Sequence, residues 1–326
     1  MRKLITFLLL TIALPVFSQN LAFTSSKEFK IAQFADTHII SGKQESAKTI
    51  SLMEMVLDKE KPDLVIFSGD VVTGKPAREG WEMVLAPVVK RNLLFAVVLG
   101  NHDFEQDLNL QEIADLVRKT PGNQNILFQN GEIGDSVLEI KSSKGNDIQA
   151  LVYLMDSHTY SKDPLIDGYG WFNFDQVAWF RERSDYYFKS QNKVLPALAY
   201  FHIPLPEYRE AYNHKDLKRF GERLEEECPS DVNTGMFLSM VEKRSVMGTF
   251  VGHDHNNDYI VAKYGIAMAY GRFSGSKNTY TDTQSGARIV TLLEGKREFK
   301  THTILNDGTI INQAQFPQDF PAPEKK

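Results

Sequence analysis

The chain is poor in cysteine, which excludes an internal disulfide framework. Its 326 residues include a single cysteine, Cys228. A chain without an internal disulfide must be stabilised by its hydrophobic core, with bound metal as a further source of stability. Because no histidine stands near Cys228 in the sequence, we interpret it as structural or incidental rather than as a nucleophile.

The chain also lacks an excess of basic charge. Its 37 Lys and Arg residues are outnumbered by 42 Asp and Glu residues, for a formal net charge of -5. This balance does not favour DNA or RNA as a partner, although it leaves room for a local basic patch. With 42% hydrophobic and 24% charged residues, the composition excludes a fibrous or wholly disordered chain.

Long apolar runs are absent except at the N-terminus. There, Arg2 and Lys3 precede an apolar run over residues 4–17, and Ser18 supplies a small residue for cleavage. We interpret residues 1–18 as a signal peptide, so the mature protein would be exported, periplasmic or secreted, with no membrane attachment. The alternative is an uncleaved anchor, but the run is shorter than the roughly 20 apolar residues that a spanning helix needs.

Short apolar runs alternate with longer amphipathic stretches, which predicts strands connected by helices and hence an α/β fold. The runs are almost continuously apolar, as expected for strands covered on both faces. Predicted strands are 29–35, 63–68, 93–99, 148–155, 195–201 and 246–251. Predicted helices are 46–59, 78–90, 108–119, 175–189 and 234–243.

The last part of the chain has a different pattern. Apolar segments at 259–262, 265–270, 287–293 and 299–305 are separated by turn residues, which predicts an antiparallel finish. Residues 315–326 contain three prolines and little to bury, so we predict a flexible C-terminal tail. A single domain over residues 19–314 remains, without an internal repeat or a low-complexity linker.

Five polar clusters follow apolar runs. Because the carboxyl ends of parallel strands meet at one edge of a sheet, such clusters can face one crevice. Their carboxylate, imidazole and amide groups suit transition metals of intermediate hardness. The clusters are Asp36-Thr37-His38, Gly69-Asp70, Gly100-Asn101-His102-Asp103, His202 and Gly252-His253-Asp254-His255.

Each cluster taken alone has an ordinary structural explanation. An Asp-x-His triplet can be a capped turn, and a Gly-Asp pair occurs by chance in many proteins. A lone histidine after a strand, such as His202, is more often a core or surface residue than a ligand. The occurrence of all five clusters in one chain is what favours a metal site.

In this order, the clusters resemble the signature of the calcineurin-like metallophosphoesterase superfamily across about the whole mature chain. Residues 199–207 (AYFHIPLPE) and 250–258 (FVGHDHNND) are similar to a branch grouped with the purple acid phosphatases of plants and fungi. The resemblance implies a four-layer α-β-β-α sandwich with a dinuclear metal site. It also implies hydrolysis of phosphate esters by attack of a metal-bound hydroxide, which needs no Ser or Cys nucleophile.

The resemblance assigns the metal ligands by position. Two cations held close together need a shared carboxylate, and the pair can clamp the attacking and leaving oxygens. The implied ligands are Asp36, His38, Asp70 and His255 for the first metal, and Asn101, His202 and His253 for the second, with Asp70 bridging both.

His102 is not a ligand in the family pattern. It would lie beside the phosphate, stabilise developing charge and protonate the leaving alkoxide, with Asp103 orienting it. The alternative is that His102 only forms hydrogen bonds within its turn.

One position departs from true purple acid phosphatases, which carry a tyrosinate ligand three residues after the bridging Asp. Here that position is Thr73, and the first motif supplies His38 instead. We therefore do not expect the purple charge-transfer colour. Loss of the hard anionic ligand leaves two divalent or trivalent transition metal ions, in matched or mixed pairs of Fe, Mn or Zn.

The predicted function is hydrolysis of phosphomonoesters, with a phosphate-ester small molecule or a phosphorylated macromolecule as substrate. A phosphodiesterase on the same metal core and a non-catalytic metal-binding protein are the alternatives. Other residues near the motifs have two interpretations each. Aromatic side chains there could line a substrate pocket or only pack in the core, and an arginine could bind phosphate or be an ordinary surface residue. They are His158, Tyr169, Trp171 and Tyr208 for a substrate pocket, and Arg272 for phosphate.

Overall fold

Thirteen strands and six helices make up the part of the chain that the computed structural model describes, residues 20–126 and 133–322. The strands are β1 (Glu28–Phe34), β2 (Leu64–Ser68), β3 (Leu94–Val98), β4 (Ser136–Lys141), β5 (Ile148–Leu154), β6 (Ala197–Tyr200), β7 (Arg219–Phe220), β8 (Val246–Val251), β9 (Ile260–Lys263), β10 (Ile266–Tyr270), β11 (Gly286–Leu293), β12 (Phe299–Leu305) and β13 (Ile310–Phe316). The helices are α1 (Gln44–Glu60), α2 (Ala77–Lys90), α3 (Leu110–Lys119), α4 (Phe174–Gln191), α5 (Glu207–Asn213) and α6 (Met236–Lys243).

The strands form two sheets. One has six strands in the order β13-β12-β11-β1-β2-β3, and the other has seven in the order β4-β5-β6-β8-β10-β9-β7. Strands β1, β2 and β3 are mutually parallel, and so are β5, β6, β8 and β10. Each sheet therefore gathers the carboxyl ends of its parallel strands at one edge.

Three hydrophobic layers hold the sheets and helices together. Ile31 and Ile66 of one sheet meet Val152 and Leu198 of the other in a core between the sheets. Helices α1, α2 and α3 cover the outer face of the first sheet, and α4, α5 and α6 cover that of the second. The four-layer α-β-β-α prediction is thus confirmed, and burial of both strand faces explains the continuous apolar runs.

The predicted elements match the observed ones to within a few residues at each end. The sequence prediction missed β4, α5, β7 and β13, which are short or polar and depend on their neighbours for pairing. The antiparallel finish is only partly correct, because β10 pairs with β8 in parallel while it pairs with β9 in the antiparallel sense.

The predicted flexible tail begins too early. Residue 315 lies within β13, and the ring of Phe316 stacks on Phe299 with centroids 5.3 Å apart. Phe320 is buried and lies 5.4 Å from the ring of Phe220. The prolines disguise this segment, but its two phenylalanines bury enough apolar surface to hold it against the sheets.

The predicted signal peptide, residues 1–18, lies outside the described residues. In the ranges 20–126 and 133–322, no helix is both long enough and apolar enough to cross a membrane.

Candidate metal centre

Sharp backbone turns follow the strands that carry the predicted ligands. Asp36 follows β1, Asp70 follows β2 and His253 follows β8, with φ angles of 54°, 50° and 77°. His38 has a φ of 44°. Residues other than glycine rarely adopt this left-handed backbone conformation, and such backbone strain is typical of functional sites. These turns bring side chains from distant parts of the sequence to a common edge.

The first group of donors is a tight, buried cluster. Asp36, His38, Asp70 and His255 each place one ligand atom within 4.8 Å of the others. Nε2 of His255 lies 3.2 Å from Nε2 of His38 and 3.7 Å from Oδ1 of Asp36. Donors that share a metal at about 2.0–2.2 Å lie roughly 3–4 Å apart, so these separations fit one cation.

The second group of donors is centred on His202. Its Nε2 lies 3.3 Å from Oδ2 of Asp70 and 3.2 Å from Oδ1 of Asn101. The ring of His253 crosses that of His202 edge to face, with centroids 5.2 Å apart. Oδ2 of Asp70 also lies 3.8 Å from Nε2 of His38. Asp70 therefore stands between the two groups, where a bridging carboxylate belongs.

Main-chain carbonyls orient two of the imidazoles. Nδ1 of His202 donates to the carbonyl of Ser68 at 2.9 Å, and Nδ1 of His255 donates to the carbonyl of Tyr280 at 2.9 Å. We assign the protons to Nδ1 because a carbonyl can only accept. When such a ring is neutral, its Nε2 carries the lone pair and faces the carboxylates, as in histidines that ligate metals.

Glycines allow the ligands to approach neighbouring backbone. A Cβ on Gly69 would lie 2.2 Å from Nδ1 of His202, and one on Gly100 would lie 2.3 Å from Oδ1 of Asp70. A Cβ on Gly252 would lie 2.5 Å from Oδ2 of Asp36. These contacts are too short for any side chain, so packing at the site requires glycine at these three positions.

Burial favours the neutral imidazoles of His38 and His255. It lowers the pKa of His38 to about 3 and that of His255 to about 4. Burial also raises the pKa of Asp36 above its usual range. For Asp70, burial acts in the same direction, but the charge and hydrogen bond of His202, together with His38 and His102, outweigh it and hold the pKa well below the usual range. Buried carboxylates need compensating positive charge, and a cation bound among neutral imidazoles supplies it.

The position of His102 differs from the prediction in one respect. Its side chain is 37% exposed at the mouth of the site, and Nδ1 lies 2.6 Å from Oε2 of Glu105. Asp103 is fully buried, and its carboxylate accepts the main-chain N–H groups of Gly100, Val71 and Val72. Asp103 therefore ties the loops after β2 and β3 together, whereas Glu105 is the carboxylate that holds His102. The missed signal is an acidic residue three positions after His102.

The calcineurin-like phosphoesterase family model matches residues 29–257, which include every predicted ligand. The chain belongs to this family. This membership confirms the resemblance on which the ligand assignment rests. Members of the family use divalent metals. In this calcineurin-like phosphoesterase, the buried Asp and His cluster contains donor groups that could bind such a metal.

Known proteins place this calcineurin-like phosphoesterase near plant and yeast relatives. It is 29% identical to "Probable inactive purple acid phosphatase 14" of Arabidopsis thaliana, covering 86% of this chain and 78% of the relative. It is 30% identical to "Probable inactive purple acid phosphatase 29" of the same plant, covering 78% and 73%. "Phosphatase DCR2" of Saccharomyces cerevisiae is 29% identical, covering 74% of this chain and 46% of the relative.

A solved structure agrees on the fold of this calcineurin-like phosphoesterase. A dimetal phosphatase from Danio rerio superposes with a TM-score of 0.60 at 12% identity, covering 88% of this chain and 99% of the other. At such low identity the match supports the architecture alone.

Two residues that sequence analysis placed near the substrate have structural roles in this calcineurin-like phosphoesterase. Arg272 is buried, and its guanidinium donates to Oδ2 of Asp258 at 2.8 Å and to the carbonyl of Gln284 at 2.7 Å. The hydroxyl of Tyr208 is buried and pairs with Oγ1 of Thr249 at 2.8 Å. Of the two interpretations, packing is therefore the correct one for Tyr208, and Arg272 serves a buried ion pair rather than a phosphate or the surface.

The other suggested pocket residues do lie near the site. The ring of Tyr169 meets that of His253 edge to face at 4.5 Å and stacks on Tyr160 at 5.5 Å. His158 and Trp171 line a cavity beside the β3 turn.

Cys228 is exposed, and its main-chain N–H donates to the carboxylate of Asp254.

Proposed function

We propose that this chain is an exported, metal-dependent phosphoesterase that hydrolyses phosphomonoesters at a dinuclear site. The observation that carries the proposal is the position of Asp70, whose Oδ2 lies within 4 Å of a histidine from each of the two donor groups. Export rests on the leader pattern of residues 1–18. A phosphate-ester small molecule or a phosphorylated macromolecule is the proposed partner.

The two donor groups define which residues would hold which metal. Asp36, His38 and His255 would bind one cation, Asn101, His202 and His253 would bind the other, and Asp70 would bind both. Such a pair supplies Lewis-acid clamping of the phosphate and an activated water.

The reaction also needs a proton donor for the leaving oxygen, and His102 fits that role. When a water oxygen attacks phosphorus, the bond between phosphorus and the ester oxygen breaks and the alkoxide must be protonated. His102 stands at the mouth of the site, and its ring lies 6.2 Å from that of His38. Because Glu105 occupies Nδ1, Nε2 is the nitrogen available to the substrate.

A non-catalytic metal-binding protein is the second candidate. The names of the two plant relatives, which call them probable inactive phosphatases, favour it. The yeast relative, in contrast, is called a phosphatase. The complete set of ligand types and the accessible His102 support catalysis in this chain, since loss of activity in such a site usually begins with loss of a ligand or its supporting group.

Metal analysis combined with two esters tests the proposal. We expect purified protein loaded with Mn²⁺, Zn²⁺ or Fe to bind up to two equivalents and to hydrolyse p-nitrophenyl phosphate faster than its bis ester. His102→Ala should lower kcat by about 10²–10⁴-fold and keep the metal, because it removes only the proton donor. Asn101→Ala should lower both metal content and activity.

An exposed histidine outside the site provides the control. His214→Ala, in the loop after α5, should change neither metal content nor rate. Metal below one equivalent, or full activity in both the Asn101 and His102 variants, would refute the proposal. Bound metal without hydrolysis of either ester would favour the non-catalytic candidate, and a strong preference for the bis ester would replace monoesters with diesters.

A further inference from the structure

A cavity of about 410 Å³ lies beside the candidate metal centre, between the turn after β3 and the loop after β5. Its volume falls within the range of about 300–1,000 Å³ that small-molecule sites occupy. Gly100 forms part of the wall, and a Cβ there would lie only 2.3 Å from Oδ1 of Asp70. Because Gly100 lies between the cavity and Asp70, the cavity adjoins the candidate metal centre.

The two walls of the cavity carry large apolar surfaces. On the β3 side, Leu99, Phe104 and Leu110 line it and belong to the core under the first helix layer. On the β5 side, Tyr160 and Trp171 face it. Aromatic and aliphatic walls of this kind stabilise an apolar group, above all a flat one that can stack or pack edge to face.

Polar residues at the base of the loop after β5 are already engaged with one another. Nε2 of His158 lies 2.7 Å from Oε1 of Gln176, a residue in the first turn of α4. The amide nitrogen of Gln176 donates to the carbonyl of Asp156 at 2.8 Å. Because these bonds fix the loop before any ligand arrives, little conformational entropy is lost when the cavity is filled.

His102 connects this cavity with the proposed reaction. It lies in the same turn as Gly100 and Phe104, both of which line the cavity, and its ring is 6.5 Å from that of Tyr160. The leaving group of the ester must lie next to the residue that protonates it. The only part of a substrate that satisfies this is the organic group beyond the ester oxygen.

We infer that this cavity binds the organic group of the substrate, and that the substrates are phosphate esters of aromatic or bulky apolar alcohols. The inference rests on the proposed function, because it places the phosphate at the metal centre. Small polar alcohols would leave the aromatic walls in contact with water and gain little from the cavity. Phe104, Leu110, Tyr160 and Trp171 would then determine specificity.

Two esters with leaving groups of similar acidity provide the test, since the chemical step is then nearly equal for both. We expect kcat/KM for 2-naphthyl phosphate to exceed that for phenyl phosphate by about tenfold, because the second ring buries further apolar surface. Leu110→Trp should fill the cavity and lower the ratio of the two kcat/KM values to about one. Phe104→Ala should enlarge the cavity and preserve or raise the ratio, which separates loss of space from loss of folding.

A matched substitution outside the cavity lining controls for the added indole. Leu165 is 92% exposed in the loop after β5, so Leu165→Trp should leave the ratio unchanged. Calorimetric titration of the metal-loaded proteins with 2-naphthyl phosphate gives a second readout that does not need turnover. We expect Leu110→Trp to weaken binding by about tenfold relative to Leu165→Trp.

The outcomes separate this inference from the proposed function. The inference is overturned, while hydrolysis stands, if kcat/KM is equal for the two esters and if Leu110→Trp and Leu165→Trp bind 2-naphthyl phosphate equally well. Binding that depends on Leu110 in a protein without turnover supports the cavity assignment while hydrolysis fails. If the protein shows no turnover and its binding of 2-naphthyl phosphate does not depend on Leu110, both the inference and the proposed function are overturned.

Discussion

The turn that holds His102 shows how one side chain decides the direction of another. The main-chain N–H of His102 donates to Oδ1 of Asp70 at 2.9 Å, which anchors the backbone to the proposed bridging carboxylate. Glu105 then holds the ring through Nδ1 at 2.6 Å. Backbone and ring are thus fixed from opposite sides, and partners of this kind align a catalytic group before the substrate binds.

Glu105→Gln tests this positioning role. An amide holds an imidazole less firmly than a carboxylate does, so we expect kcat to fall by about 10–100-fold with little change in KM. The loss should be larger for phenyl phosphate than for p-nitrophenyl phosphate, whose better leaving group needs less protonation. Nitrogen NMR of the metal-free protein should show a proton held on Nδ1 of His102 in the parent and a less uniform protonation of that nitrogen in the variant.

The control removes a carboxylate of the same type elsewhere. Glu82→Gln lies on the exposed face of α2 and should change neither the rate nor the histidine spectrum. An equal loss for both esters would assign Glu105 a purely structural role.

At the scale of the elements, the ends of three parallel strands carry strained backbone. Asp36, Asp70 and His253, which follow β1, β2 and β8, are predicted ligands with left-handed φ angles. The helix layers leave this edge open because α1 and α2 begin only after the loops that carry the ligands. Strands thus provide rigid anchors, and the short turns determine where the donors lie.

Gly69→Ala tests whether close packing at a strand end is essential. The new Cβ would collide with Nδ1 of His202, so we expect loss of metal from the second donor group together with loss of activity. Gly295→Ala is the control, since its φ of +74° resembles the +92° of Gly69 while no other atom lies within 4 Å of the new Cβ. Both variants should lose about 1–2 kcal/mol of unfolding free energy from backbone strain.

Metal content then distinguishes the two substitutions. Elemental analysis should find fewer bound ions in Gly69→Ala and the parental number in Gly295→Ala. Parental metal content in both variants would show that His202 can move aside without cost.

At the scale of the whole molecule, the candidate metal centre joins the two sheets. The loops of the six-stranded sheet contribute Asp36, His38, Asp70 and Asn101, and the loops of the seven-stranded sheet contribute His202, His253 and His255. Neither sheet alone supplies a complete set for either cation. Bound metal would therefore stabilise the sandwich as well as supply its chemistry.

Removal of metal should lower the stability of the whole domain. A ligand that binds only the native state, at a free concentration a hundred times its Kd, adds about 2.7 kcal/mol to the unfolding free energy for each site. We expect a chelator to remove this contribution in urea unfolding. Asp70→Asn should unfold at the same midpoint with or without metal, because the shared ligand is lost.

A surface carboxylate gives the comparison. Asp185 forms a half-buried ion pair with Lys243 on the second helix layer, so Asp185→Asn should retain the full response to metal. An unchanged midpoint after chelation of the parent protein would contradict a metal that links the sheets.

Much of the architecture was predictable because of how its strands are buried. Strand β3 is apolar at every position and β2 at every position before Ser68, since one face meets the second sheet and the other meets helices. By contrast, β7 consists of two residues and exists only through its pairing with β9, so its own sequence contains no signal for it. The role of Arg272 was likewise hidden, because its partner Asp258 is fourteen positions away and the pairing depends on the fold.

The sequence by itself determined the fold class, the family and the residues that can serve as ligands, because burial on two faces and donor chemistry follow from residue types in order. Only the tertiary structure decided that Glu105 rather than Asp103 holds His102, and that an aromatic cavity adjoins the candidate metal centre. The physical reason is that hydrogen bonds and cavities depend on distances of a few ångströms between side chains. Those distances arise only when the loops of both sheets meet at one edge.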